Sequence, residues 1–315
     1  MPDLTVNMAS DRNRNKVLIL DSSSYIGGHI FKALGPGRAT ATYYQSPVEN
    51  ATYFDCLSMD LSDVIQEPEE FSHAVVLIAI PSPDVCAADI KKSYALNVAS
   101  IKRIIDYLNR WQIKPVFTST ESVFDGIKGN YDESDPTNPI LTYGKQKVEV
   151  EDYLQKNCRH YTIARLAKVV GSQRGDGTLF TAWLDELERG EAILCAQDQV
   201  FSPIHVEDVV KGLIRLIDMD CEGVYHLANP KAYSRLQLLR ILLSQVEKYL
   251  PSPVEVVPCS IHDFDLLEKR PLNVSMNPDK LIKSTGIKVR SVEDMVDNIV
   301  TDAYVPVSMG ELRGG

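Results

Sequence analysis

Two side chains four positions apart, Tyr143 and Lys147, are the pair in this chain best suited to chemistry. In a helix that spacing puts the phenol and the ammonium on one face, one turn apart. A cation beside a phenol favours phenolate, which makes tyrosine a usable general acid or base near neutral pH. Tyr-x-x-x-Lys also occurs by chance on solvated helix faces, so its surroundings must decide. Upstream runs Phe117-Thr-Ser-Thr-Glu-Ser-Val-Phe-Asp-Gly126, a strand entering a hydroxyl-rich loop. Thr120 stands 23 residues before Tyr143. Its hydroxyl can hold a carbonyl oxygen beside the phenol or cap the turn.

A second chemical element is the turn Asp21-Ser-Ser-Ser-Tyr-Ile-Gly-Gly28, between an apolar run and a helical pattern. A dinucleotide fold uses a glycine turn there to bring backbone amides to a pyrophosphate at a helix N-terminus. Here Asp21 and Ser24 occupy the first two glycine positions of G-x-x-G-x-x-G, and Gly27 remains. The hydroxyls of Ser22, Ser23 and Ser24 can donate to phosphate. Asp21 either repels a pyrophosphate or turns inward and caps the turn, as aspartate does in Asx-turns. His205 has no second histidine at ligand spacing and reads as structural, so no metal site is expected.

The hydrophobic pattern supplies the elements that must position these groups. Lys16–Leu20 and Ala74–Ile80 are continuous apolar runs of the kind a parallel sheet buries on both faces. Ala39–Tyr44, Pro115–Ser119 and Tyr161–Leu166 read as further strands. Helical patterns lie between them at Ile26–Leu34, at 89–111 and at Tyr143–Gln155. This alternation implies βαβ units with right-handed crossovers. After Gly171 the rhythm changes to helical segments near 178–190, 206–218 and 234–249, separated by Ala192–Leu194, Gly223–Leu227 and Val254–Val257. The fold class is therefore α/β: a Rossmann-type doubly wound parallel sheet with a smaller C-terminal α/β substrate lobe. The expected division is a loose arm over 1–14, a dinucleotide-binding domain over 15–170, a mainly substrate-binding lobe over 171–300 and a tail over 301–315. Ligands in such sheets sit at the carboxyl ends of the strands, so the loops after Leu20, Ile80, Ser119 and Leu166 should line the cleft.

Ser119-Thr-Glu-Ser-Val-Phe-Asp-Gly126, Tyr131-Asp-Glu-Ser-Asp-Pro136 and Tyr143-Gly-Lys-Gln-Lys147-Val-Glu-Val-Glu151 resemble the dTDP-4-dehydrorhamnose reductase family of extended short-chain dehydrogenases/reductases. That family includes the regulatory beta subunit of methionine adenosyltransferase. Phe201-Ser-Pro-Ile-His-Val-Glu-Asp208 and Arg270-Pro-Leu-Asn-Val-Ser275 resemble its later motifs, so the likeness spans about residues 15–300. The resemblance implies a catalytic trio of Thr120, Tyr143 and Lys147. Tyr143 would protonate a keto oxygen as hydride arrives, Lys147 would also bind the nicotinamide ribose, and Thr120 would orient the carbonyl. Ser24, Tyr25, Ile26 and Gly27 would meet the pyrophosphate, and Asp60 would sit near the adenine. Ala79, Asn97 and Thr118 would line the cofactor channel, although Asn97 also fits an exposed helix position. Sugar-nucleotide dehydratases of this superfamily carry an Asp-Glu pair after the threonine; Glu121-Ser122 lacks the second carboxylate, which argues against dehydration. Thr42-Tyr-Tyr-Gln-Ser46 offers no carboxylate to an adenosine 2′-hydroxyl, which leans toward NADP over NAD or tolerance of both. The implied function is reduction of a nucleotide-linked 4-keto sugar, in the context of polysaccharide biosynthesis. The alternatives are a catalytically silent, cofactor-binding regulatory subunit and a sugar-nucleotide epimerase.

Composition bounds the partners. A net charge of −10 over 315 residues, without a basic stripe, argues against nucleic-acid backbone and against anionic membrane surfaces. No apolar stretch approaches a membrane span, and the six scattered cysteines suit a reduced cytoplasmic chain. A homodimer is expected, because residues 94–108 carry enough apolar positions to serve two faces.

Overall fold

The computed structural model describes residues 14–250 and 254–304. The expected arm, apart from Arg14, and residues 305–315 of the expected tail lie outside the described residues. Residues 301–304, assigned above to the tail, close the last helix, Val292–Tyr304.

Strand β1 (Lys16–Leu20) lies inside the sheet, and its side chains alternate between two separate cores. Val17 and Ile19 join one core, Leu18 and Leu20 the other. Because both faces are covered, every position after Lys16 must be apolar, and each such side chain contributes about 1.5–3 kcal/mol by burial. Strands β2 (Ala39–Tyr43), β3 (Ala51–Tyr53), β4 (Phe71–Val76), β5 (Lys114–Thr120) and β6 (Thr162–Leu166) join it in a seven-stranded sheet. All neighbouring strands pair in parallel. The first face is covered by helix α1 (Tyr25–Leu34) and the helix Val206–Asp218. The second is covered by the helices Ile101–Arg110 and Thr142–Asn157.

The seventh strand is Gly223–Leu227, hydrogen-bonded to β6. The expected division at residue 171 placed this segment in the smaller lobe. The chain instead returns after its first excursion to complete the sheet, with Val206–Asp218 packed beside α1. The remaining C-terminal segments build a third core from the helices Leu179–Arg189, Arg235–Val246 and Val292–Tyr304. Strand β4 ends at Val76, four residues before the apolar run does, and residues 78–81 form a loop at the carboxyl edge.

Residues 90–110 form one interrupted helix, with Ala95–Ser100 wound as a π-helix. Its apolar positions Val98, Ile101, Ile104, Ile105 and Leu108 all point into the chain's own core. The outward ridge is polar: Lys102 and Tyr94 bond to Glu149, and Tyr153 bonds to Asp106. The apolar surplus on which a homodimer was expected is thus spent internally. None of the described helices is long and apolar enough to cross a membrane.

Candidate active site

Thr120 is the last residue of β5, and Tyr143 lies in the first turn of the helix Thr142–Asn157. Thr120 caps a short turn, Glu121–Val123, its Oγ1 accepting the N–H of Ser122 at 3.2 Å. The helix packs directly on that turn. A Cβ on Gly144 would lie 2.1 Å from the Ser122 carbonyl oxygen, so only glycine lets Tyr143 approach so closely. This glycine was not singled out in the sequence, although it stands within the Tyr–Lys motif.

Lys147 lies one turn along the same helix and is buried. Its Nζ donates to the Thr118 carbonyl at 2.8 Å, sits 4.5 Å from the Phe117 ring centre and 5.8 Å from that of Tyr143. Burial pushes the ammonium down to about 8, with Glu151 opposing the fall. The phenol of Tyr143 moves up, first through burial and then through the Cys86 thiol. The lowering of the phenol that the spacing suggested is not found: burial dominates and raises it. A tyrosine so placed holds its proton at neutral pH.

Beneath the pair lies a buried ion pair. Arg165 on β6 donates from Nη2 to Glu151 at 2.7 Å and from Nε to both carboxylate oxygens, while Ser119 donates to the same carboxylate. Arg165 also stacks 5.2 Å from the Phe124 ring and approaches His226 Nε2 at 3.4 Å. The network ties the Tyr–Lys helix to β5, β6 and the seventh strand.

A cleft of about 360 Å³ opens at the carboxyl ends of β1, β2 and β4. Asp21, Ser23 and Ser24 line it from the turn, Thr42–Ser46 from β2, and Ile78–Pro81 from the loop after β4. Ser24 caps α1, accepting the N–H of Gly27 at 3.2 Å. A Cβ on Gly27 would fall 2.0 Å from the Asp21 carbonyl, so the turn closes only around glycine. The N–H groups of Tyr25 and Ile26, first in α1, have no partner within the helix and leave it able to receive an anion. The Tyr25 side chain turns away, its hydroxyl donating to Asp176 at 3.0 Å, and the Ile26 side chain packs on the first core. This donor set and cleft fit a nicotinamide dinucleotide.

Of the other expected cofactor residues, Ala79 lines the cleft. Asn97 is buried rather than exposed, and does not line it. Its Oδ1 accepts the Ile80 N–H at 2.7 Å, while Nδ2 donates to the Ile80 carbonyl at 3.2 Å and to Gln146 at 2.7 Å. It thus ties the cleft wall to the helix bearing Tyr143 and Lys147. Thr118 is buried, donating to the Val76 carbonyl at 2.9 Å. Asp60 stands outside the cleft, capping the short helix Leu61–Val64 near Arg103. Phe54, Asp55 and Cys56, the residues that follow β3, line the cleft instead. His205 is buried and caps Val206–Asp218, its Nδ1 accepting the Glu207 N–H at 3.2 Å.

A second cleft, also of about 360 Å³, begins at Glu121, Ser122 and Leu141. Three cationic side chains meet there: Arg270, which opens the last motif, and Lys168 and Arg235, which the sequence did not single out. Burial pushes the Glu121 carboxyl up, partly offset by Lys168. The two motifs that frame this cleft touch: the Asn273 N–H donates to the Gly126 carbonyl at 3.0 Å.

Comparison with known proteins follows the same lines. The dTDP-4-dehydrorhamnose reductase of Aggregatibacter actinomycetemcomitans is 25% identical over 272 residues, covering 80% of this chain and 91% of that protein. The methionine adenosyltransferase 2 subunit beta of Danio rerio is 22% identical over 309 residues, covering 92% of this chain and 90% of its own. Among solved structures, a dTDP-4-dehydrorhamnose reductase from Bacillus anthracis in complex with NADP superposes with a TM-score of 0.76 at 21% identity, over 92% of this chain and 99% of that one. The RmlD substrate binding domain family matches residues 16–305, and the chain belongs to it.

Proposed function

We propose that the protein is an NAD(P)-dependent reductase of a nucleotide-linked 4-keto sugar. The observation that carries this reading is the joint burial of Tyr143 and Lys147 on one helix face, packed against β5, whose last residue is Thr120, with the two clefts on either side. The first cleft suits the dinucleotide, with the amides of Tyr25 and Ile26 toward its pyrophosphate and Ala79 along its wall. The second suits an anionic sugar nucleotide, because Lys168, Arg235 and Arg270 can offset a diphosphate. When bound, the dinucleotide supplies a hydride. Tyr143, protonated at neutral pH, gives its proton to the keto oxygen, and Thr120 orients that oxygen. Lys147, anchored on the Thr118 carbonyl, holds the ribose side of the site.

The experiment is turnover of dTDP-4-dehydrorhamnose with NADH and with NADPH, followed by loss of the reduced nicotinamide absorbance. The regulatory reading is supported by the methionine adenosyltransferase relative and by Asp21 in the glycine turn. Dinucleotide binding without turnover of this or other nucleotide-linked 4-keto sugars would favour it. Purified protein that retains NAD through isolation would favour an epimerase. A homodimer through the helices Ile101–Arg110 and Thr142–Asn157 completes the proposal; the face they would use is the polar one where Lys102 and Tyr94 bond to Glu149 and Tyr153 to Asp106.

A further inference from the structure

Asp21 has a backbone φ of +79°, in the left-handed region that favours glycine. The turn is locked around it. Its N–H donates to Thr42 Oγ1 at 3.2 Å, its carbonyl accepts the Ser24 hydroxyl at 2.8 Å, and its Oδ1 accepts the Ser23 hydroxyl at 2.6 Å. The carboxylate therefore caps the turn through a side chain, and this takes one of its roughly four lone-pair sites. The hydrogen bond to Thr42 sets Asp21 against the carboxyl end of β2, and both residues line the first cleft.

In dinucleotide folds an acid about 20 residues beyond the turn, at the end of the second strand, accepts the adenosine 2′-hydroxyl. Here that strand ends in Tyr43, Tyr44, Gln45 and Ser46, all lining the cleft and none acidic. Asp21, hydrogen-bonded to Thr42 of that strand, brings a carboxylate to the same cleft. The other charged residue lining the cleft is Asp55, whose carboxylate is held by the Leu57 N–H and the Ser58 hydroxyl. No lysine or arginine lines it among the described residues. Arg38 lies at the far end of β2, paired with Asp218.

Resting on the dinucleotide reading above, we infer that Asp21 is the specificity-determining residue of the first cleft. It accepts the free adenosine 2′-hydroxyl in place of the missing β2 acid and rejects a 2′-phosphate. The chain accordingly prefers NAD(H), the reverse of the lean suggested by the end of β2 alone. A 2′-phosphate would bring about two negative charges against two carboxylates with no lining cation to offset them.

Calorimetric titration of the full chain with NADH and NADPH tests this, alongside Asp21→Asn, since asparagine tolerates positive φ. Circular dichroism and urea midpoints would check the fold of the variant. The wild type should bind NADH at least about tenfold more tightly than NADPH, a preference that shrinks with added salt. Asp21→Asn should narrow the ratio by about tenfold, chiefly through a gain for NADPH. Equal or tighter binding of NADPH by the wild type, or a ratio unchanged in Asp21→Asn, would overturn the inference and leave the reductase reading standing. Binding of neither dinucleotide would overturn both.

Discussion

Replacing Glu151 by glutamine keeps the shape of the side chain and removes its charge, leaving Arg165 buried against Phe124 without a counter-ion. Glu151 and Arg165 are 1% and 3% exposed, so solvent cannot take the place of the lost partner. Breaking a buried pair from one side costs about 3–5 kcal/mol, a large part of a typical stability of about 5–15 kcal/mol. The melting temperature should fall by roughly 6–10 °C. Replacing both partners, as Glu151→Leu with Arg165→Met, should recover most of the loss, because an apolar pair carries no uncompensated charge. A pH series separates this from a packing defect. Lys147 has a folded value near 8 against an ordinary 10.5. A lysine lowered in this way costs stability while both states are protonated, so the penalty is full below about pH 8 and fades as pH rises toward 10.5. Without Glu151 to hold the ammonium up, the recovery should begin at lower pH. Urea unfolding from pH 6 to 10 would measure both effects. A Glu151→Gln variant within about 0.5 kcal/mol of wild type, with an unshifted pH profile, would show the pair to be solvated and refute the reasoning.

Tyr143→Phe should lower turnover by about 10²–10⁴-fold and leave the dinucleotide Kd within about twofold, since the hydroxyl serves the transition state; turnover near wild type would remove Tyr143 from the chemistry. Gly27→Ala should abolish dinucleotide binding and cost about 1–3 kcal/mol, because its Cβ would meet the Asp21 carbonyl at 2.0 Å and the Ser22 Cα at 2.9 Å, backbone that must move. Titration and thermal melting check this, and wild-type affinity would contradict it. A dimer built on the ridge of Lys102, Glu149, Asp106 and Tyr153 should weaken as salt screens its charges. Light scattering showing a monomer at micromolar concentration in low salt, or a dimer indifferent to salt, would exclude that interface.

The parts of the fold legible in the sequence are those where burial leaves no choice of residue type. β1 shows as an unbroken apolar run because alternate side chains enter different cores. The run Ala74–Ile80 misleads at its end for a related reason: Leu77 packs on the core while Ile78–Pro81 wall the cleft, and apolarity alone does not separate a strand from a cleft wall. Gly223–Leu227 is recognisable as a strand, but its partner β6 lies about 60 residues earlier and no local pattern records the pairing. β3 is three residues long and mostly exposed, so no apolar run marks it, and the cleft is lined by Asp55 rather than by the expected Asp60. Lys168, Arg235 and Arg270 are isolated in sequence and become a group only when the lobes meet.

The Tyr–Lys pair shows where spacing stops being informative. Four residues along a helix bring the phenol and ammonium onto one face, and the structure keeps them there. Spacing carries no statement of depth. At the surface a lysine would draw the phenol down, but both groups are buried, Lys147 gives its proton bond to the Thr118 carbonyl, and desolvation moves the two in opposite directions. The outcome is a tyrosine that keeps its proton and a lysine poised near 8. That outcome comes from the depth at which the core holds the helix, set by Gly144 against Ser122 at one end and Glu151 against Arg165 about two turns further on.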